Sequence, residues 1–106
     1  MSLHDQIRSS VAAVEAELLA LSHDIHAHPE IGYEEFHAAE VTTALLARHG
    51  FVVERPIAGL ETAFRATKGS GALRISLCAE YDALPDVGHA CGHNIIASSS
   101  VGAMML

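Results

Sequence analysis

Leu73-Arg74-Ile75-Ser76-Leu77-Cys78-Ala79-Glu80-Tyr81-Asp82-Ala83-Leu84-Pro85, with Gly88-His89-Ala90-Cys91-Gly92-His93-Asn94 close behind, carries the reading of this chain. From Leu73 to Ala79 the pattern alternates, with Leu73, Ile75, Leu77 and Ala79 facing one way and Arg74, Ser76 and Cys78 the other. That period of two predicts a β-strand, with Cys78 as a small buried hydrophobe. The strand would deliver Glu80 and Asp82 to its carboxyl end, where ligands gather in open α/β sheets. The loop beyond it carries His89, Cys91 and His93 to the start of a helix predicted from His93 or Asn94 through Ala97, Val101 and Met104.

Upstream, Ile7, Val11, Val14, Leu18, Leu21 and Ile25 alternate by four and three, drawing one apolar stripe along an α-helix. Pro29 and Gly32 end it near His28. A second helix is expected from Tyr33 or Glu34 to His49, with Glu34 and Glu35 decorating its start, Arg48 near its end and Gly50 as the stop. Phe51–Val53 and Thr62–Ala66 are short extended candidates separated by Pro56 and Gly59, and Lys68-Gly69-Ser70-Gly71 is a turn. The predicted fold class is therefore α/β: two helices, short strands, and a helix after the histidine- and cysteine-bearing loop. The final helix reaches Leu106 without a glycine or a basic turn, which reads as a chain cut from something longer.

The chain has 106 residues, 50% of them hydrophobic, enough for one small core and too few for two domains. A net charge of -7 with six Lys and Arg lacks the basic footprint that phosphate binding needs, so neither nucleic acid nor an acidic membrane surface is an expected partner. No basic n-region precedes an apolar run and no window approaches a membrane span, so a cytoplasmic location is expected. Two cysteines are too few for a disulfide framework.

Cys91-Gly92-His93 can act as a pincer only in a loop, because residues two apart on a helix point in nearly opposite directions. At a helix entrance both side chains project together, and the positive end of the helix favours the thiolate. Thiolate and imidazole are natural zinc donors, yet zinc takes at least three protein ligands, so the pair is half a site. By spacing alone, a buried thiol beside a surface imidazole is the favoured account. Asp82 reads equally as a turn residue before Pro85 or as an acceptor that orients a ligand histidine. His23, His26 and His28 suit the C-terminal end of the first helix as caps, and His37 and His49 read as solvated helix positions.

With His26-Ala27-His28-Pro29-Glu30-Ile31-Gly32-Tyr33-Glu34-Glu35 upstream, then Ala79 to Pro85, then Gly88 to Asn94, the chain resembles the amino-terminal part of the peptidase M20 family. These are two-metal aminoacylase- and carboxypeptidase-like peptidases and amidohydrolases. Within them the amidohydrolase branch, with its aminobenzoyl-glutamate hydrolases, is the most similar.

The resemblance implies that residues 1–106 are part of a zinc-peptidase-like catalytic domain, with the lid or dimerisation domain absent. Cys91 matches a thiolate that can bridge two metals, and His93 matches a metal ligand. Asp82 matches an aspartate of the first metal motif, here outer-shell because Glu80 stands where other branches have a ligand histidine. Asn94 stands where many members have Asp. The resemblance also implies a zinc or manganese cofactor and a small-molecule amide or dipeptide substrate, such as an N-acyl amino acid or aminoacyl conjugate. Water activated at the metals would attack the carbonyl while a glutamate moves its proton. That glutamate lies after the cysteine in the family, and no Glu follows Glu80 here, so no appreciable turnover is expected from these residues alone.

Two other readings stand beside this one. A short interaction module could pair through an unfinished sheet edge, which also admits a homo-oligomer. A thiol hydrolase would use Cys91 as nucleophile with His89 or His93 as base, although nothing supplies an orienting third group for it.

Overall fold

A computed structural model describes residues 1–106 as three helices and a two-stranded antiparallel hairpin. The first helix, α1, spans Leu3–Ala27. It begins earlier than the apolar stripe because Ser2 and Asp5 form a reciprocal capping box, Ser2 Oγ accepting from Asp5 N at 3.1 Å. Its stripe is only half used: Leu21 and Ile25 are buried, whereas Ile7 and Val11 are 42% and 41% exposed. At about 1.5 Å per residue a helix this long outreaches the core that covers its C-terminal half.

The second helix, α2, spans Phe36–Arg48. Glu34 and Glu35 lie before its first turn, and the carboxylate that caps it comes from farther back. Glu30 Oε2 accepts from His37 N at 2.8 Å and Oε1 from Ala38 N at 2.9 Å, satisfying two of the helix's free donors. The Glu30 carbonyl also accepts from Ala83 N at 2.7 Å, so one residue joins α2 to the segment that carries Asp82. Glu30→Ala is expected to cost about 1–2 kcal/mol, by loss of the cap and exposure of unpaired donors at a half-buried helix start. Urea unfolding followed by circular dichroism checks this, and a change under about 0.3 kcal/mol would count against the capping role.

Strand β1, Val52–Glu54, pairs antiparallel with β2, Arg65–Thr67, placing Val52 opposite Thr67, Val53 opposite Ala66 and Glu54 opposite Arg65. Arg65 reinforces the register by donating Nε–H to Glu54 Oε2 at 2.7 Å. The hydrogen bond from Arg65 and its charge hold the Glu54 carboxyl below its ordinary range.

The predicted strand from Leu73 to Ala79 does not form. No element or sheet pairing covers the segment, and Leu73 and Ile75 are 82% and 72% exposed. An alternating pattern becomes a strand only when another backbone meets its N–H and C=O groups. No segment pairs with this one, although Ser100 Oγ donates to the Cys78 carbonyl at 2.9 Å. Cys78 is accordingly exposed, contrary to the buried position expected from the alternation.

The third helix, α3, spans His93–Met105 and packs along α1. Ala97 and Val101 enter the core with Leu21, Ile25, Leu45, Leu46, Phe51 and Tyr81. Gly102 permits the close approach, since a Cβ there would lie 2.7 Å from Leu18 Cδ1. Asn94 Nδ2 donates to Ser22 Oγ at 3.1 Å, fixing the start of α3 against α1. No helix is long and apolar enough to cross a membrane.

Candidate functional site

Tyr81 sets the position of the loop. Its ring is buried and stacks with Phe64 at 6.3 Å, and its hydroxyl donates to the Thr62 carbonyl. Burial, with Glu35 adding, pushes its pKa up to about 12, so the phenol stays neutral and acts as an anchor. Asp82, the next residue, turns the other way and meets α3.

His93 is the first residue of that helix. Its Nδ1 lies 2.8 Å from Asp82 Oδ1 and 3.0 Å from the Asp82 carbonyl oxygen. Both partners are acceptors, so Nδ1 carries the proton and Nε2 is left with its lone pair. This is the pattern by which a carboxylate orients a ligand imidazole and raises its basicity. The structure therefore brings Asp82 to His93 across eleven positions and leaves Glu80 exposed.

Gly92 caps α3 in the left-handed region at φ 83°, and its carbonyl accepts from Ile95 N at 2.9 Å. A residue with a Cβ would resist this conformation, so glycine lets the chain turn between Cys91 and His93. Cys91 is a free, exposed thiol just before the helix. The donor chemistry of Cys91 and His93 fits a zinc-type ion, with Asp82 behind the imidazole. No third His, Cys, Asp or Glu donor joins these two in a cluster.

His89, beside them, has both ring nitrogens buried and without a partner at full hydrogen-bond geometry. Its ring centroid lies 6.3 Å from that of His26. Burial, with His26 and His93 adding, lowers its pKa against the opposing pull of the Ile25 backbone and Asp82. A histidine whose pKa falls on folding binds fewer protons folded than unfolded, so its contribution is intact above about pH 6.5 and is lost as pH drops below that value. Wild type is expected to lose more stability than His89→Gln between about pH 7 and pH 5, measured by urea midpoints across the range. Parallel curves for the two proteins would overturn the assignment.

Three histidines can be set against their sequence reading. His49 Nε2 is 2.9 Å from Glu17 Oε2, and His37 Nε2 is 2.9 Å from Asp24 Oδ1, so neither is a purely solvated helix position. His28 does sit at the end of α1, its Nδ1 2.8 Å from the Asp24 carbonyl, as a capping residue would. The Glu17 and Asp24 pairings bridge α1 to α2 and left no local sequence signal.

No family model matches the chain. Among curated proteins it is 42% identical over 101 aligned positions to the Xaa-Arg dipeptidase of Mus musculus, covering 81% of this chain and 22% of that protein. It is 39% identical over 120 positions to the Xaa-Arg dipeptidase of Homo sapiens, covering 94% of this chain and 26% of that one. A p-aminobenzoyl-glutamate hydrolase of Escherichia coli (strain K12) is 34% identical over 93 positions, 72% of this chain and 19% of the bacterial protein. The chain thus spans about a quarter of the length of these relatives.

Proposed function

Because the chain belongs to the M20 family of amidohydrolases and peptidases, we propose that the protein is a metal-dependent hydrolase of amide bonds in dipeptides, N-acyl amino acids or aminoacyl conjugates. The observation that carries this reading is the 2.8 Å contact between His93 Nδ1 and Asp82 Oδ1 at the entrance of α3, beside the exposed Cys91. Cys91 and His93 Nε2 hold the metal in this proposal, and Asp82 fixes the tautomer and direction of the imidazole. The metal, zinc on the preference of a thiolate donor, supplies Lewis acidity toward the amide carbonyl and its attacking water when bound. The family's proton-moving glutamate has no counterpart here after Glu80, so these 106 residues alone should not turn over substrate.

The test is amine release from an Xaa-Arg dipeptide and from an N-acyl amino acid, using the protein isolated from its natural source. Activity lost on chelation, restored by zinc or manganese and abolished by Cys91→Ser in the same polypeptide is the expected result. Hydrolysis that survives both chelation and Cys91→Ser would overturn the proposal.

One observation favours a second reading, an interaction module. The extended Leu73–Ala79 segment offers unpaired backbone beside a groove of about 1320 Å³ whose walls include Phe51, Phe64, Val101 and Met104. Light scattering of the 106-residue chain distinguishes the two, since pairing through this edge would give dimers or larger species.

A further inference from the structure

A different group of donors converges on the other side of α1. Asp24 and His28 stand one turn apart at the C-terminal end of that helix, and His37 lies in the first turn of α2. Asp24 Oδ1 is 3.0 Å from His28 Nδ1 and 2.9 Å from His37 Nε2. The imidazole rings lie 4.2 Å apart at 38°, and the three donor atoms all fall within 4.8 Å of one another. Two imidazoles thus aim a nitrogen at a single carboxylate oxygen, across a connection that leaves α1 at Pro29 and returns as α2.

We propose that Asp24, His28 and His37 form a structural site for a zinc-type divalent cation, separate from Cys91 and His93. Two imidazoles and a carboxylate are a borderline donor set that suits zinc, with nickel and copper as chemical competitors. Bonds of about 2.0–2.2 Å in tetrahedral geometry place neighbouring donors about 3.3–3.6 Å apart. The observed 2.9 and 3.0 Å separations are those of hydrogen bonds, and small side-chain rotations would open them enough to admit the ion. All three side chains are between 36% and 54% exposed, which leaves room for a water molecule as fourth ligand.

The backbone beneath the donors is already fixed. The Glu30 carboxylate accepts from His37 N at 2.8 Å and from Ala38 N at 2.9 Å, holding the first turn of α2 in place. Both Glu30 oxygens are engaged there, so Glu30 is the support beneath the site. Asp24 and His28 share the face of α1 that meets α2. His26, two positions from each, projects from the opposite side and lies 6.3 Å from His89. The ion would tie the end of α1 to the start of α2 and stabilise the folded chain by mass action.

The test is a zinc titration of the untagged, chelator-treated 106-residue chain carrying Cys91→Ser and His93→Gln, which silences the other donors. One equivalent of zinc with a rise in Tm is expected, together with shifts in the imidazole nitrogen resonances of His28 and His37. His37→Gln and His28→Gln, each on a partly exposed side chain, should weaken zinc binding at least tenfold and remove the Tm rise. Asp24→Asn keeps the side-chain shape and should do the same. The absence of saturable binding, or zinc affinity unchanged in all three variants, would overturn the proposal. Neither outcome touches the proposed hydrolase, because the experiment is run without Cys91 and His93.

Discussion

Ile25→Ala should unfold a large fraction of this chain, with an expected loss of about 3 kcal/mol within the roughly 2–5 kcal/mol range for emptying a buried aliphatic site. Ile25 is 0% exposed and belongs to the core cluster that draws α1, α2, α3 and Tyr81 together. A domain of this size buries a modest share of its surface and has a small margin, so such a loss is a large part of its total stability. Ile7→Ala provides the control. Ile7 lies on the same sequence stripe but is 42% exposed, and its truncation should change stability by no more than about 0.5 kcal/mol. Urea unfolding of both variants measures the contrast, and equal costs would mean that the core does not lie where the structure puts it.

Asp82→Ala should weaken metal binding by Cys91 and His93 about 10- to 100-fold, the usual consequence of removing the carboxylate behind a ligand histidine. Without Asp82 Oδ1 the His93 imidazole keeps only the Asp82 carbonyl, 3.0 Å from Nδ1, to set its direction. Competition of the active protein against a chelator of known zinc affinity measures the change. His37→Gln as a background removes any contribution from the site between α1 and α2. An affinity unchanged in Asp82→Ala would make that carboxylate a turn residue, the other reading its position before Pro85 allowed.

Glu30 belongs both to the family motif and to the framework of the fold. It lies in His28-Pro29-Glu30, caps α2 with its side chain and receives Ala83 N with its carbonyl. Its place in the motif thus has a mechanical account, because it sets the distance from the helix pair to the Tyr81-Asp82 segment.

The three helices and the character of the loop could be read from the residues alone. α1, α2 and α3 were legible because their hydrogen bonds are internal to each segment, so apolar spacing with Gly50 and Gly92 at the ends specifies them locally. The short hairpin was legible within a few residues for a similar reason, having both strands near one another in the chain. The loop could be read as a place for Cys91 and His93 to project together because only a glycine-bearing turn before a helix allows it. Whatever needs a distant partner waited for the folded chain. Leu73–Ala79 carries a strand pattern and pairs with nothing here, since alternation fixes which faces a segment shows but not whether another backbone lies beside it. Asp82 was resolved between turn and orienting group only when α3 brought His93 to it. Asp24, His28 and His37 met only because α2 folds back along α1, and no spacing within either helix encodes that meeting.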